Sequence, residues 1–161
     1  PSQQAMRATL YALRDSLLLV DAARARIARD LGGASDAALR SRARVMSERC
    51  QAASHSAVAA RDSVSASELP VRDSLRARES LVRALERLGA DLDHCATEFE
   101  GLSRPEQAEE LRGYGIGKGE RVSQSIRRYQ PAVQNYFEVA LGTRYMPSLR
   151  GAGSIPSSTG P

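Results

Sequence analysis

Residues 39–64 have the sequence LRSRARVMSERCQAASHSAVAARDSV, in which apolar side chains, most of them small, recur at alternating steps of four and three. A stripe with that period is typical of the inward face of a helix packed on another helix. Residues 81–102, LVRALERLGADLDHCATEFEGL, repeat the pattern with larger side chains. The two stripes are Leu39, Ala43, Met46, Cys50, Ala53, Ala57, Ala60 and Val64, and Leu81, Leu85, Leu88, Leu92, Cys95, Phe99 and Leu102.

Each of the two cysteines lies on one of these stripes. In an antiparallel hairpin with Cys50 opposite Cys95, Ala57 faces Leu88, and small side chains facing large ones give a helical core native density. The sequence therefore predicts a disulfide that closes about 45 residues and contributes roughly 4 kcal/mol on the chain-entropy account. The alternative is a pair of reduced thiols in the core, where free cysteine is common.

The segment before residue 39 predicts a first helix from about Ser2 to Leu31, ended by Gly32-Gly33. The run Leu17–Val20 is apolar around most of the helix, which indicates contact with two neighbours. A second helix is expected from the N-cap Ser35 to about Ala66. The first helix also carries a buried-type stripe: Met6, Leu10, Leu13, Leu17, Val20, Ile27 and Leu31.

The connector between the second and third helices is expected over residues 65–80, because the apolar stripe lapses at Ser74 and Arg78. Ser67–Pro70 is the predicted turn, since proline commonly follows the end of one helix and starts the next. The third helix is expected to begin near Pro70 and to bury its face from Leu81 onward.

The chain after Leu102 is predicted to break into shorter pieces. Ser103–Glu106 has the pattern of a capping box with proline in the first turn, opening a short helix that ends at Arg112. The run Gly113–Gly119 predicts an irregular loop, and a last helix ended by Gly142 follows it. Pro131 predicts a kink or a fresh start within that helix.

These elements predict an all-α fold, a mostly antiparallel four-helix bundle over residues 1–142 with a Gly-rich loop before the last helix. Residues 143–161 are rich in glycine, serine and proline and lack a period, so we expect an extended C-terminal arm.

Composition bounds the compartment and the class of protein. Of 23 basic residues, only Lys118 is lysine, which is typical of a GC-rich bacterial genome, and the net charge is +4. No apolar run approaches the ~18 residues that cross a bilayer. Because the chain begins at Pro1, we expect either a removed signal peptide or an N-terminus that lies further upstream. With the cysteine pair, these features predict an extracytoplasmic protein, periplasmic or secreted.

The motifs that could bind a phosphate or a metal ion do not have the residue spacing that such sites require. The run Gly113–Gly119 is not a phosphate loop, because Arg112 and Gly119 stand where glycine and Ser or Thr are required. His55 lies off the face of Cys50, and His94 adjoins Cys95 and points elsewhere, so four converging metal ligands are not expected.

Catalytic arrangements are equally weak. Ser54-His55-Ser56 is only proximity along a helix, and Glu109-Glu110 lies in an acidic, exposed helix start without an apolar pocket. The sequence therefore predicts a protein that is not an enzyme, with no metal, no cofactor and no small-molecule substrate.

The last third of the chain holds five of the seven aromatic residues, which either pad the last helix onto the core or form an interface. The sequence predicts an accessory subunit that docks through its last helix and arm onto other subunits of a larger, membrane-bound bacterial complex, with the membrane surface as a further contact. The alternatives are a small-molecule or metal-sensing bundle, which a cavity lined by Leu17–Val20 would favour, and a basic nucleic-acid-associated protein. The candidate contact residues are Arg127, Arg128, Tyr136, Phe137, Arg144, Tyr145, Met146, Leu149, Arg150 and Ile155.

Overall fold

The computed structural model describes residues 3–68 and 72–142, except the side chains of residues 72–73 and 114–118. Over that part of the chain the fold is all-helical, as predicted. The elements are α1 (Gln3–Asp30), α2 (Asp36–Ser65), α3 (Arg72–Leu102), a short 3-10 helix (Pro105–Gln107) and α4 (Ala108–Ala140).

The four long helices run alternately up and down, since each connection is short and forces neighbours to be antiparallel. α2 packs on α1 and α3, and α4 packs on α3. α4 also closes the bundle against α1, with Tyr136 near Met6 at one end and Arg112 near Leu31 at the other. The α1–α4 side is the most sparsely packed of the four.

The core consists of the stripes that the sequence marks. Every member of the stripes on α2 and α3 is buried, and so are the members of the α1 stripe from Met6 to Ile27. The α1 stripe is broken at Arg24, which is buried as well, and Leu31 is half-buried.

The register of the α2–α3 hairpin is the predicted one. Cys50 and Cys95 form a disulfide, with their Cα atoms 6.0 Å apart. Two serines of α2 donate hydrogen bonds across the seam to backbone carbonyls of α3: Ser47 Oγ to Ala96 O at 2.6 Å, and Ser54 Oγ to Gly89 O at 3.2 Å. Such bonds require a close approach of the two helices, which the small side chains on α2 permit.

The helix ends follow the capping signals. Ser35 caps α2, because its Oγ accepts a hydrogen bond from the backbone N–H of Ala38 at 3.1 Å. Gly142 adopts φ +63°, the left-handed conformation that suits glycine directly after a helix. The backbone N–H of Leu141 donates to the Phe137 carbonyl at the same end.

The prediction of a Gly-rich loop over Gly113–Gly119 is wrong: α4 is continuous through these residues. Leu111 before them and Val122 after them are both buried, and their spacing keeps both on one helical face. Tertiary packing of that face outweighs the cost of about 1 kcal/mol for each glycine in a helix.

The expected capping box and short helix are also wrong. Ser103 Oγ donates back to the Glu100 carbonyl at 2.6 Å instead of capping the next element. The helix does not end at Arg112, and it does not start afresh at Pro131, which lies on the exposed side of α4. A proline ring directed at solvent displaces no core side chain.

The structure differs from two further predictions, one for the α2–α3 connector and one for the Leu17–Val20 run of α1. α3 includes Ser74 and Arg78, so the connector is shorter than residues 65–80. Leu17 and Val20 are fully buried, whereas Leu18 and Leu19 are 42% and 46% exposed. Among the described residues, the Leu17–Val20 run therefore packs against a neighbour on one side only, and not on two sides as predicted.

Candidate docking surfaces

The outer face of α4 holds two of the predicted contact residues. Arg127 and Arg128 are exposed, and Arg127 Nη2 donates to Glu120 Oε1 at 2.8 Å. Arg121, seven residues before Arg128 on the same helix, donates to Asp91 of α3 at 3.0 Å. These arginines are therefore placed where a partner can reach them.

Tyr136 and Phe137 are placed differently from the expectation. Both are fully buried, so the structure corrects their assignment as surface contacts and assigns them to the core. The two rings lie on the buried face of α4, where the Tyr136 hydroxyl meets Met6 of α1 and the Phe137 ring meets Tyr11 of α1. Six further predicted contact residues lie outside the described residues: Arg144, Tyr145, Met146, Leu149, Arg150 and Ile155.

The hydroxyl of Tyr136 is held in a polar site at the end of the bundle. Its Oη lies 3.0 Å from Ser67 Oγ and 3.1 Å from the sulfur of Met6. Arg78 donates to the Ser67 carbonyl at 2.7 Å on the same side. Burial raises the pKa of Tyr136 above its ordinary value of 10.0, and the Ser67 hydrogen bond and the charge of Arg78 oppose that rise.

Arg112 fastens the start of α4 to the α1–α2 turn at the other end. Its Nη1 and Nη2 donate to the carbonyls of Leu31 and Ala34 at 2.9 and 2.6 Å, and its Nε donates to Asp36 Oδ1 at 2.8 Å. The planar guanidinium thus satisfies backbone carbonyls that a helix end otherwise leaves to solvent.

The seam between α1 and α4 is lined by arginine and aromatic side chains. The guanidinium carbon of Arg7 lies 5.8 Å from the ring centroid of Phe137, and the Tyr11 ring meets the Phe137 ring edge to face at 6.3 Å. The guanidinium carbon of Arg14 lies 5.8 Å from the Tyr11 ring. Further along, Arg24 is buried beside Gly119 and pairs with Asp21 at 3.4 Å.

Three guanidinium nitrogens of α1 are buried without an acceptor among the described residues. They are Nε of Arg7, Nη1 of Arg14 and Nε of Arg24. Buried N–H groups are nearly always hydrogen-bonded in folded proteins, so a row of three along the thinnest side of the bundle is unusual.

The structure describes the surroundings of His55, His94 and Ser54, which the sequence offers as candidates for metal binding or catalysis. No group of three or more His, Cys, Asp or Glu side chains converges there as metal ligands would. His94 lies 3.2 Å from Glu98 on the surface of α3, and Ser54 already donates to a backbone carbonyl. His55 lines an open groove of about 380 Å³ between α2 and α3, together with Arg61, Glu86 and Asp93.

The disulfide bears on the compartment. Cys50 and Cys95 are both buried, and a disulfide is compatible with an oxidising, extracytoplasmic location. None of the described helices contains a stretch that is both long enough and apolar enough to span a bilayer.

No family model, curated protein or solved structure matches the chain.

The seam on α1 was missed by the sequence analysis, although a signal for it exists. Arg7, Tyr11, Arg14 and Leu18 repeat the steps of four, three and four residues directly beside the buried stripe that starts at Met6. A search for apolar periodicity passes over this second stripe, because two of its members are arginines.

Proposed function

We propose that this protein is a non-catalytic, extracytoplasmic accessory subunit. It docks onto a larger, membrane-bound bacterial complex through the outer face of α4 and residues 143–161. The bundle is the rigid base in this proposal, and the disulfide between α2 and α3 supports that role. The arm follows Gly142, whose left-handed conformation lies directly after α4.

The distribution of charge carries the proposal. Five of the 23 basic residues and one of the 19 acidic residues lie between Arg121 and Pro161, which leaves 18 of each sign in residues 1–120. The first part of the chain is therefore neutral, and the whole net charge of +4 belongs to the second half of α4 and the arm. Concentrated charge of one sign speeds and orients docking to a surface of the opposite sign.

The residue types in this segment also suit protein contacts. All of its basic residues are arginines, whose guanidinium groups bind carboxylates with two parallel hydrogen bonds. The arm adds Tyr145 and Met146, types that are enriched at interfaces. We therefore expect the partner to present an acidic surface.

Affinity capture from native membranes tests this proposal. The full chain is compared with a truncation after Gly142 and with the variant Arg127→Gln/Arg128→Gln, and Arg83→Gln/Arg87→Gln on the exposed side of α3 is the matched control. We expect the truncation and the Arg127→Gln/Arg128→Gln variant to lose co-purifying proteins and the control to retain them. Retention of the same partners by all of them would refute docking through α4 and the arm. Capture of DNA instead, with steep dependence on salt, would favour a nucleic-acid-associated protein.

A further inference from the structure

The first half of α4 is held to the bundle by contacts of a different kind from those of the second half. Here the α4 strap denotes residues 108–120, which follow the short 3-10 helix. We propose that the α4 strap opens away from α1 in the native protein, with Arg112 as its latch, while the α2–α3 hairpin and the rest of α4 stay folded. This inference does not depend on docking through Arg127, Arg128 or residues 143–161, so either proposal can fail alone.

The backbone of the strap has a low intrinsic tendency to form a helix. Four glycines fall within seven of its residues: Gly113, Gly115, Gly117 and Gly119. Each of them weakens the helix, because glycine loses more backbone freedom on folding than any other residue. Residues 121–140 contain one helix-breaking residue, Pro131, and no glycine. The strap therefore depends on tertiary contacts more than the rest of α4 does.

The described tertiary contacts of α4 are concentrated in its second half. Outside residues 114–118, the apolar side chain that the strap buries is Leu111. Burial of apolar surface is the main source of helix stability in a folded protein, so the second half is expected to stay in place when the strap opens. The buried apolar and aromatic residues of that half are Val122, Ile126, Tyr129, Val133, Tyr136 and Phe137.

The contact between the strap and α1 is buried and charged. Gly119 lies against the side chain of Arg24, which pairs with Asp21 at 3.4 Å. Both charged side chains are only 5% exposed, and Nε of Arg24 has no acceptor among the described residues. Desolvation of the two charges and of an unsatisfied N–H costs free energy that one ion pair does not fully offset. Water that reaches the pair on opening removes this cost, so the contact holds the strap less firmly than an apolar one.

Arg112 acts as a latch because it ties the strap to the α1–α2 turn through polar contacts near the surface. Its guanidinium donates to the carbonyls of Leu31 and Ala34 and to the carboxylate of Asp36. The Arg112 side chain is 35% exposed and the Asp36 side chain 56%. Water can replace hydrogen bonds at such a position, so these contacts close the strap reversibly.

The other sides of the bundle are joined more firmly. α2 and α3 are linked by the disulfide and by the hydrogen bonds of Ser47 and Ser54 across their seam. The α1–α4 side is the most sparsely packed of the four. Opening is therefore confined to this side, and it admits water to the Asp21–Arg24 pair.

Hydrogen exchange of the full, disulfide-bonded chain tests the inference, resolved by residue and repeated at several low urea concentrations. We expect the amides of residues 112–120 to exchange at least about a hundred-fold faster, relative to their intrinsic rates, than those around Cys50 and Cys95. Their exchange should depend only weakly on urea, because a local opening exposes little surface. The amides around Tyr129 and Val133 should remain protected.

Two variants should shift the opening in opposite directions. Gly113→Ala should slow exchange in the strap about three-fold, because alanine favours the helix and the added β-carbon meets no atom within 4 Å. Gly101→Ala, at an equally open position near the end of α3, is the matched control and should leave exchange in the strap unchanged. Arg112→Ala should quicken exchange in the strap about ten-fold, and Arg112→Lys by less.

Three results would overturn the inference. Exchange of residues 112–120 at the rate and urea dependence of α2 and α3 would show that the strap opens only when the whole chain unfolds. Exchange of the amides around Tyr129 together with the strap would show that α4 opens as one unit. Exchange that is fast but unchanged in Gly113→Ala and Arg112→Ala would show that neither the glycines nor the latch control it. The parent chain alone decides the first two results, so a variant that folds poorly does not remove the test.

Discussion

Gly119 of α4 lies against the buried side chain of Arg24 of α1, so closely that a β-carbon on Gly119 would stand 2.6 Å from Cδ and 2.7 Å from Cγ of Arg24. The Arg24 stem thus occupies the space that any other residue at position 119 would need. This contact explains why a residue that weakens helices is accommodated in the middle of α4.

Replacing Gly119 by alanine should lower the free energy of unfolding by about 1–3 kcal/mol, because the methyl group must displace Arg24 from its ion pair with Asp21. The matched control is Gly113→Ala, since a β-carbon there would meet no atom within 4 Å. That change should raise stability by about 0.5–1 kcal/mol through helix propensity alone. Urea unfolding of the two variants measures both effects. Equal shifts of the same sign would contradict the close contact.

Removal of the Arg112 side chain should release the start of α4 from the α1–α2 turn. We expect Arg112→Ala to cost about 1–3 kcal/mol, because two backbone carbonyls and a carboxylate lose their donors. Hydrogen exchange of the amides around Ala34 should quicken in the same variant. Arg104→Ala, at an exposed arginine nearby, should change stability by less than about 0.5 kcal/mol. Arg112→Lys should restore only part of the loss, since one ammonium does not reproduce the fork.

Loss of the Cys50–Cys95 bond should destabilise the bundle by about 4 kcal/mol, as expected for a closed loop of this length. The comparison is between the parent and Cys50→Ala/Cys95→Ala in urea. Both cysteines are buried, so a thiol reductant should act slowly on the native protein and faster as urea opens it. Alkylation followed by mass spectrometry measures the reduction. Rapid reduction without denaturant would show that the sulfur atoms are accessible in the native state.

The raised pKa of Tyr136 predicts a loss of stability in alkaline solution. The folded chain holds the phenol proton more tightly than the unfolded chain does, so the contribution is complete below about pH 10 and falls as the pH rises above it. Tyr136→Phe should remove this part of the pH dependence. At neutral pH the same variant should be less stable by about 1 kcal/mol, because the contacts with Ser67 and Met6 are lost. Urea unfolding between about pH 8 and 11.5 tests both statements. Parallel pH profiles for the two proteins would contradict them.

The sequence was sufficient to predict the features that depend on the regular spacing of apolar residues. The stripes of α2 and α3 predicted the helices, their antiparallel register and the disulfide, because small residues such as Ala57 and large ones such as Leu88 complement one another along the seam. The caps at Ser35 and Gly142 also followed from local chemistry.

The course of α4 could not be predicted from local signals. The glycines from Gly113 to Gly119 and Pro131 all disfavour a helix, and the burial of Leu111 and Val122 on one face outweighs them. Tyr136 and Phe137 were ambiguous between core and interface, since large aromatic residues are enriched in both. The placement of Arg7 over the Phe137 ring appears only when α1 and α4 are brought together.

The disulfide joins the middle of α2 to the last third of α3, well away from the α2–α3 turn. A peptide-bond cut anywhere between Cys50 and Cys95 would therefore leave the two pieces covalently attached through sulfur. New chain termini, a protease site or an inserted reporter could be introduced at the α2–α3 turn without the halves of the molecule separating.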